Sequence, residues 1–262
     1  MLEYLKKRKL ATIILAAGKG TRMRSDLAKV LHYICGKPML FYPLELARNA
    51  GSEIIVAVVG HQSDIIRKKV KDRDIVFVEQ KEQLGTGHAV LQTRDALKDF
   101  EGDILILCGD VPLLLPSTIE ALIGCHLTNN ATVTVMTTRL DDPIGYGRIV
   151  KGRGDNILKI VEERDATDEE KRIKEINSGI YCVKSEFLFD AVARIGNENA
   201  QGEYYLTDIL EIAVRKKYKA ISFVIDDSLE VMGINTIEDL ERADRVIEER
   251  RVLSVDGEVF EK

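Results

Sequence analysis

Leu10-Ala-Thr-Ile-Ile-Leu-Ala-Ala17 runs directly into Gly18-Lys-Gly-Thr-Arg22-Met-Arg24, with Lys29 close behind. The first eight residues, rich in Ile, Leu and Ala, read as a strand buried on both faces, so the chain must turn where the glycines fall. Glycine there lets backbone N–H groups approach anionic oxygens, and Arg22, Arg24 and Lys29 add charge that backbone dipoles do not supply. The segment is suited to polyphosphate; the competing reading is a strand-to-helix loop with a solvated basic rim.

Outward from this stretch, apolar runs recur at Glu53 to Val59, Ile75 to Val78, Asp103 to Leu107 and Ala131 to Met136. Helical patterns lie between them at Met39 to Asn49, Ser63 to Val70, Gly87 to Leu97 and Ser117 to Leu127, with Pro38 and Pro116 at first-turn positions. This alternation predicts a Rossmann-like, doubly wound α/β fold with a mainly parallel sheet. After Thr138 short strand patterns at Gly147 to Val150, Ile157 to Val161 and Ile180 to Val183 follow without long helices, which predicts an inserted, partly antiparallel subdomain over about 139–204. A helix at Tyr205 to Lys217, a strand at Ala220 to Ile225 and a charged helix at Thr236 to Arg250 complete the pattern, with a tail from Val252 to Lys262. The expected division is one domain over 1–235, then a helix and tail over 236–262.

The 262 residues are 45% hydrophobic, enough for a sizeable core, and the formal net charge of -5 excludes a general binder of nucleic acid or anionic membranes. Any phosphate binding must be local. Cys35, Cys108, Cys125 and Cys182 form no C-x-x-C pair and no grouping with histidine, so reduced, mostly buried thiols in a cytoplasmic protein are expected. Lys6, Lys7, Arg8 and Lys9 before an apolar run imitate a secretory signal, but Gly18-Lys-Gly-Thr-Arg continues the phosphate motif across the would-be cleavage point. No stretch approaches the ~18 apolar residues of a membrane span.

Ligands of open α/β sheets bind beyond the carboxyl ends of the strands, and the residues there are polar and specific. Gln80 offers a donor and an acceptor to a nucleobase and Gly85-Thr86 permits close approach, although the same pair also reads as a turn and a helix N-cap. Asp110 follows a strand and precedes Val111-Pro112; it suits Mg²⁺, which takes one or two protein oxygens together with phosphate and water, or it is a turn aspartate. Gly145-Tyr146-Gly147-Arg148, Glu162, Asn177-Ser178-Gly179 and Gly233-Ile234-Asn235 supply polar groups beside glycines, a combination fit for sugar hydroxyls; for Glu162 and Glu163 a solvated charged face is the alternative. His32, His61, His88 and His126 share no ligand spacing, and no G-x-S-x-G pattern indicates a protein nucleophile. A dinucleotide-dependent oxidoreductase fits poorly, because Met23 stands at the third glycine of G-x-G-x-x-G and strand two ends at Val59-Gly60-His61 without an acidic residue.

From about Leu10 to about Arg250 the chain resembles the sugar-nucleotide pyrophosphorylases, most closely the uridyltransferase half of the bifunctional N-acetylglucosamine-1-phosphate uridyltransferase/glucosamine-1-phosphate acetyltransferases. The resemblance rests on L-A-A-G-K-G-T-R-M at 15–23, K-V-L-H at 29–32, Q-L-G-T-G-H-A at 83–89, G-D-V-P-L at 109–113, G-Y-G-R-I at 145–149, E-I-N-S-G-I-Y at 175–181 and N-A-Q-G-E-Y-Y-L-T-D at 199–208. It implies that Leu15, Ala16, Ala17, Gly18, Gln80, Gly85, Thr86 and Gly109 hold a uridine nucleotide, and that Arg22 and Lys29 meet phosphates as the catalytic cations. It further implies that Gly147, Glu162, Asn177 and Asn235 hold an acetylamino sugar and that Asp110 and Asn235 hold Mg²⁺. The implied substrates are UTP and N-acetylglucosamine 1-phosphate. The runners-up are a uridylyl- or thymidylyltransferase for another hexose 1-phosphate and a non-catalytic nucleotide-sensing subunit. Cys108 stands where some members carry tyrosine. No hexapeptide repeats occur through Lys262, so the acetyltransferase half and its trimer-forming surface are expected to be absent, and no oligomeric state is implied.

Overall fold

The computed structural model describes residues 9–18, 20–23, 25–152 and 156–259; Lys19, Arg24, the basic run at 6–8 and the last three residues of the expected tail lie outside them. Its strands are β1 (Leu10–Ala16), β2 (Tyr33–Ile34), β3 (Lys37–Pro38), β4 (Ile54–Val59), β5 (Ile75–Glu79), β6 (Asp103–Cys108), β7 (Val133–Arg139), β8 (Arg148–Lys151), β9 (Ile157–Val161), β10 (Glu175–Lys184) and β11 (Ala220–Val224). The main path of the large sheet runs β11-β7-β10-β6-β1-β4-β5, with the β8–β9 pair branching from the start of β10. All strands of this path are parallel except β10, which runs against both its neighbours. The chain steps outward from β1 to β4 and β5, then returns to lay β6 on the other side of β1, and such a reversal opens a crevice at the carboxyl ends of the two strands.

Period-two alternation sorts the strands' side chains onto two faces. Ile14, Ala16, Ala57, Leu105 and Leu107 pack beneath the helices Phe41–Asn49 and Pro116–Thr128. Ile13, Val56, Val58, Ile106 and Tyr181 pack on the other face beneath Thr86–Leu91, Ser185–Val192 and Asp208–Arg215. Pro116 occupies the first helical turn as expected. The preceding backbone amide, Leu115 N–H, donates to the buried Glu230 carboxylate at 3.0 Å.

Four local readings change. Pro38 starts no helix: Cys35 and Gly36 both have positive φ, 45° and 83°, the requirement of a two-residue type I′ turn, and Pro38 pairs with Tyr33 in the resulting hairpin. The pattern at Gly87 to Leu97 breaks into the helix Thr86–Leu91 and a 3₁₀ turn at Asp95–Leu97. The run at Ile180 to Val183, expected within the insertion, is the core of β10 and sits between β6 and β7, leaving the β8–β9 hairpin to stand off. Finally, the last helix spans Ile237–Val259 and so takes up most of the expected tail. Its Leu240, Ala243, Val246 and Ile247 pack against Ile34, Met39, Leu113 and Ile234.

No helix among the described residues is long and apolar enough to cross a membrane. No disulfide joins the four cysteines; Cys182 is buried and Cys35, Cys108 and Cys125 are half-buried.

At the sheet end opposite the crevice, the wholly enclosed His126 ties helix to sheet: Nδ1 lies 2.8 Å from Thr134 Oγ1 and Nε2 3.3 Å from Asp103 Oδ1. His126→Leu keeps the apolar volume but removes both contacts from a buried carboxylate and hydroxyl. A loss of about 2–4 kcal/mol is expected in urea unfolding, with no change in ligand affinity at the distant crevice.

Candidate active site

The crevice between β1 and β6 holds a pocket of about 310 Å³ lined by Leu15, Ala16, Ala17, Gly18, Lys29, Gln80, Gly85, Thr86, Cys108 and Asp110, and also by Gln83 and Glu203. Most of the residues expected to meet nucleotide and phosphate therefore share one wall. Gly109 is needed beside it: its N–H donates to Leu15 O at 2.8 Å, and a Cβ there would stand 3.0 Å from that oxygen and 3.2 Å from Val30 Cγ1. A wider hollow of about 640 Å³ between Arg139, Ile149 and Ile173 contains none of the expected site residues. Its buried Glu175 is already bonded to Lys151 at 2.8 Å and Thr137 at 3.0 Å.

At one end of the crevice, Gln80 is buried with its amide Nε2 donating to Gly85 O at 3.0 Å and lying 3.1 Å from His88 Nδ1. With Nε2 so engaged, the amide oxygen is the atom of this side chain that can accept from a ligand. Gly85 adopts φ +105° and a Cβ would sit 2.7 Å from Tyr204 O, so only glycine allows residues 204–206 to lie across this loop. Thr86 is no N-cap; its hydroxyl accepts from Leu206 N–H at 3.0 Å, while Gly87 N–H donates to Tyr204 O at 2.7 Å. His88 and Tyr204 lay within the quoted motifs without an assigned part, and their part is to hold the Gln80–Gly85 edge.

At the middle, three cation-to-oxygen contacts converge. Lys29 Nζ forms an ion pair with Asp110 Oδ2 and donates to Asn235 Oδ1 at 3.1 Å, and Arg22 Nη2 donates to the same Asn235 oxygen at 2.8 Å. Ile234 N–H donates to Asp110 O at 2.9 Å, which joins the two segments directly. Asn235 is oriented by its own Nδ2 donating to Gly233 O at 3.2 Å, and Asp239 Oδ2 receives the N–H groups of both Asn235 and Thr236 at 2.9 Å. Thr236 Oγ1 in turn accepts from Asp239 N–H, closing a reciprocal helix cap that sequence reading missed although the T-x-x-D spacing was its signal. A carboxylate oxygen and an amide oxygen aimed at one positive charge form a hard-oxygen donor set of the kind Mg²⁺ takes.

Gly147, Glu162 and Asn177 gather in a second cluster beyond β10. Because β10 runs opposite to its neighbours, its first residues emerge at the same end as the carboxyl ends of β6 and β7. Its register against β7 shifts between Asn177 and Tyr181, where Gly179 takes φ +79°. Asn177 N–H donates to Gly147 O at 2.9 Å, and Asn177 Oδ1 accepts from Gly179 N–H at 3.0 Å and Tyr181 OH at 2.9 Å. A Cβ on Gly147 would come within 3.4 Å of the Glu162 carboxylate oxygens, and Glu162 Oε1 accepts from Thr207 at 3.1 Å. Arg148, 1% exposed, carries the loop before it: it pairs with Glu163 at 2.6 Å and donates to Tyr146 O.

The two clusters border different cavities, since Glu162 lines a separate hollow of about 420 Å³ with Asp165, Tyr205 and Asp208. They meet through Cys108, whose thiol donates to Gly179 O at 3.5 Å. Burial, and then the charge of Asp110, pushes that thiol up to about 12, so it is a neutral group on the pocket floor. Burial also raises Glu162, and burial followed by the charges of Glu211 and Asp165 raises Asp208 to about 6.

A nucleotidyl transferase family profile matches residues 11–247. The bifunctional protein GlmU of Geobacter metallireducens is 52% identical over 251 residues, covering 95% of this chain and 53% of that protein. GlmU of Geotalea daltonii is 51% identical over 243 residues, with 92% and 53% covered. The chain thus spans about half the length of these relatives. Among solved structures, a UDP-glucose pyrophosphorylase complexed with UDP-glucose superposes with a TM-score of 0.75 at 19% identity, covering 92% of this chain and 99% of that one, a likeness of fold.

Two outcomes follow from the geometry. Gly85→Ala forces a methyl against Tyr204 O at positive φ and is expected to cost about 1–3 kcal/mol in urea unfolding, with weaker nucleoside triphosphate binding in equilibrium titration. For Asp208, the folded protein keeps a proton that the unfolded chain releases from about pH 4 upward. Its contribution to stability is therefore complete below that pH and is lost as pH rises through about 6. Asp208→Asn should melt at a higher temperature than the parent at pH 7.5, and this advantage should vanish towards pH 4.

Proposed function

We propose, on the premise that the chain belongs to the nucleotidyl transferase family, that it transfers UMP from UTP to N-acetylglucosamine 1-phosphate, giving UDP-N-acetylglucosamine and pyrophosphate. The observation that carries this reading is the convergence of Lys29, Arg22, Asp110 and Asn235 at the mouth of the β1/β6 crevice, between a cluster fit for a base and a cluster fit for a sugar. Residues 1–235 then form the nucleotidyltransferase domain, and the elaboration over 139–204 supplies Gly147, Glu162 and Asn177.

Uracil fits the Gln80–Gly85 edge, where an amide oxygen meets a ring N–H and backbone groups meet a ring carbonyl. The glycine-rich loop after β1 offers N–H groups to the triphosphate, and Arg22 and Lys29 offset its charge. In this reading Glu162 and Asn177 bond the sugar hydroxyls and the acetylamino group, and Gly147 leaves room for the ring. A sugar-phosphate oxygen attacks the α-phosphorus in line and pyrophosphate leaves, so the substrates bring the nucleophile and the protein brings two polyanions into reacting distance. Asp110 and Asn235 would hold Mg²⁺, which when bound neutralises phosphate charge as it shifts to the leaving group.

Pyrophosphate release measured across a grid of nucleoside triphosphates and sugar 1-phosphates tests the reading. UTP with N-acetylglucosamine 1-phosphate should be the fastest pair; preference for another hexose or for dTTP would replace the assignment. Release only after a partner protein is added would mark a nucleotide-sensing subunit instead. Asp110→Ala is expected to lower kcat by roughly 10²–10³ while the folded protein still binds UTP.

A further inference from the structure

Lys29 bonds the same two oxygens, Asp110 Oδ2 and Asn235 Oδ1, that the proposed function gives to Mg²⁺. An ammonium bonded to both oxygens and a metal ion held by the same two compete for one position, and two cations that close repel strongly. We propose that Lys29 is a placeholder cation: it holds the metal ligands together in the ligand-free protein and must be displaced before they can take a divalent ion. The inference rests on the assignment of Asp110 and Asn235 as metal ligands.

The surroundings of Lys29 define where it goes. A Cβ at Gly20 would lie 2.6 Å from Lys29 Cβ, so the root of the lysine is packed against the glycine loop after β1 and only the end of its side chain can swing. The Lys29 side chain is 12% exposed and that of its Asp110 partner 27%, so release of the pair alone leaves a partly buried lysine with fewer partners. A polyphosphate on the neighbouring loop supplies the replacement anion. Metal binding without nucleotide therefore loses the Lys29–Asp110 pair, whereas metal binding beside nucleotide exchanges it for a lysine–phosphate pair. Nucleotide and metal then strengthen each other's binding by the same factor, as linkage requires. Arg22, on the same Asn235 oxygen but exposed, retreats into solvent more easily and contributes less to the block.

The test is Mn²⁺ binding, followed by electron paramagnetic resonance on the whole chain without nucleotide and repeated with UTP. Asp110→Asn serves as the blank for metal held by UTP alone. Lys29→Ala and Lys29→Gln, each shown to be folded by its melting curve, should bind Mn²⁺ at least about tenfold tighter than the parent without nucleotide. With UTP present that gap should close. Equal or weaker Mn²⁺ affinity in both folded lysine variants overturns the proposal; if the parent still shows UTP-supported, Asp110-dependent Mn²⁺ binding in that case, the metal assignment stands without it. Loss of any Asp110-dependent binding, with or without UTP, overturns the metal assignment and the placeholder together.

Discussion

The hydrogen bond from Gly109 N–H to Leu15 O carries the β1–β6 pairing one residue past the end of β6, and the layout of the crevice depends on it. A side chain fits there only if its neighbours yield, because a Cβ would lie 3.1 Å from Ala16 Cβ and 3.2 Å from Val30 Cγ1. This lays the glycine loop after β1 next to the acidic loop after β6. Asp110 then receives the Ile234 amide on its carbonyl and Lys29 on its carboxylate, so one residue ties together three segments far apart in sequence. A side chain at 109 would press on Leu15, Ala16 and Val30 and shift Asp110 against the loop beside it by a few tenths of an ångström.

Much of this was readable in the chain because it rests on local rules. A saturated apolar run followed by glycines marks β1 and its loop whatever the rest of the protein does, and the alternation of apolar runs with helical spacing leads to the doubly wound sheet. The direction of β10 was not readable. Ile180 to Val183 has the same apolar character as the parallel strands, and what makes it antiparallel is the β8–β9 hairpin that returns the chain to the carboxyl end of the sheet. Supporting contacts were hidden for a related reason. Glu230 satisfies Leu115 N–H across 115 residues and Arg22 reaches Asn235 across 213, and no spacing rule extends so far. Asp239 was within reach of a local rule, since T-x-x-D before a helix is a capping pattern, but its consequence, a fixed Asn235, needs the fold.

Glycines separate legible from illegible in another way. Gly18 and Gly20 announce a turn by their position after a strand. Gly85, Gly147 and Gly179 carry no such mark; they matter because Tyr204, Glu162 and Cys108 come from elsewhere in the chain to occupy the space a side chain would fill. The motif resemblance identified the segments, and the physical reason for their residues appears only in the packing.

Charge is distributed along the site as well as balanced across it. A chain with a formal net charge of -5 places Lys29 in the crevice with Arg22 beside it on Asn235, and gathers Glu162, Asp165, Asp208 and Glu211 around the cavity beyond β10. Burial and mutual repulsion raise Asp208, and burial raises Glu162, so this end of the site is negative and poorly solvated. A phosphate entering the wrong way round would meet carboxylates that already repel one another, while hydroxyl and amide groups can donate to them. For the sugar phosphate proposed as substrate, this gradient from cations to carboxylates favours the orientation with its phosphate towards Lys29 and its neutral face towards Glu162. The uncharged thiol of Cys108 lies on the boundary, where a charged side chain would blur that polarity.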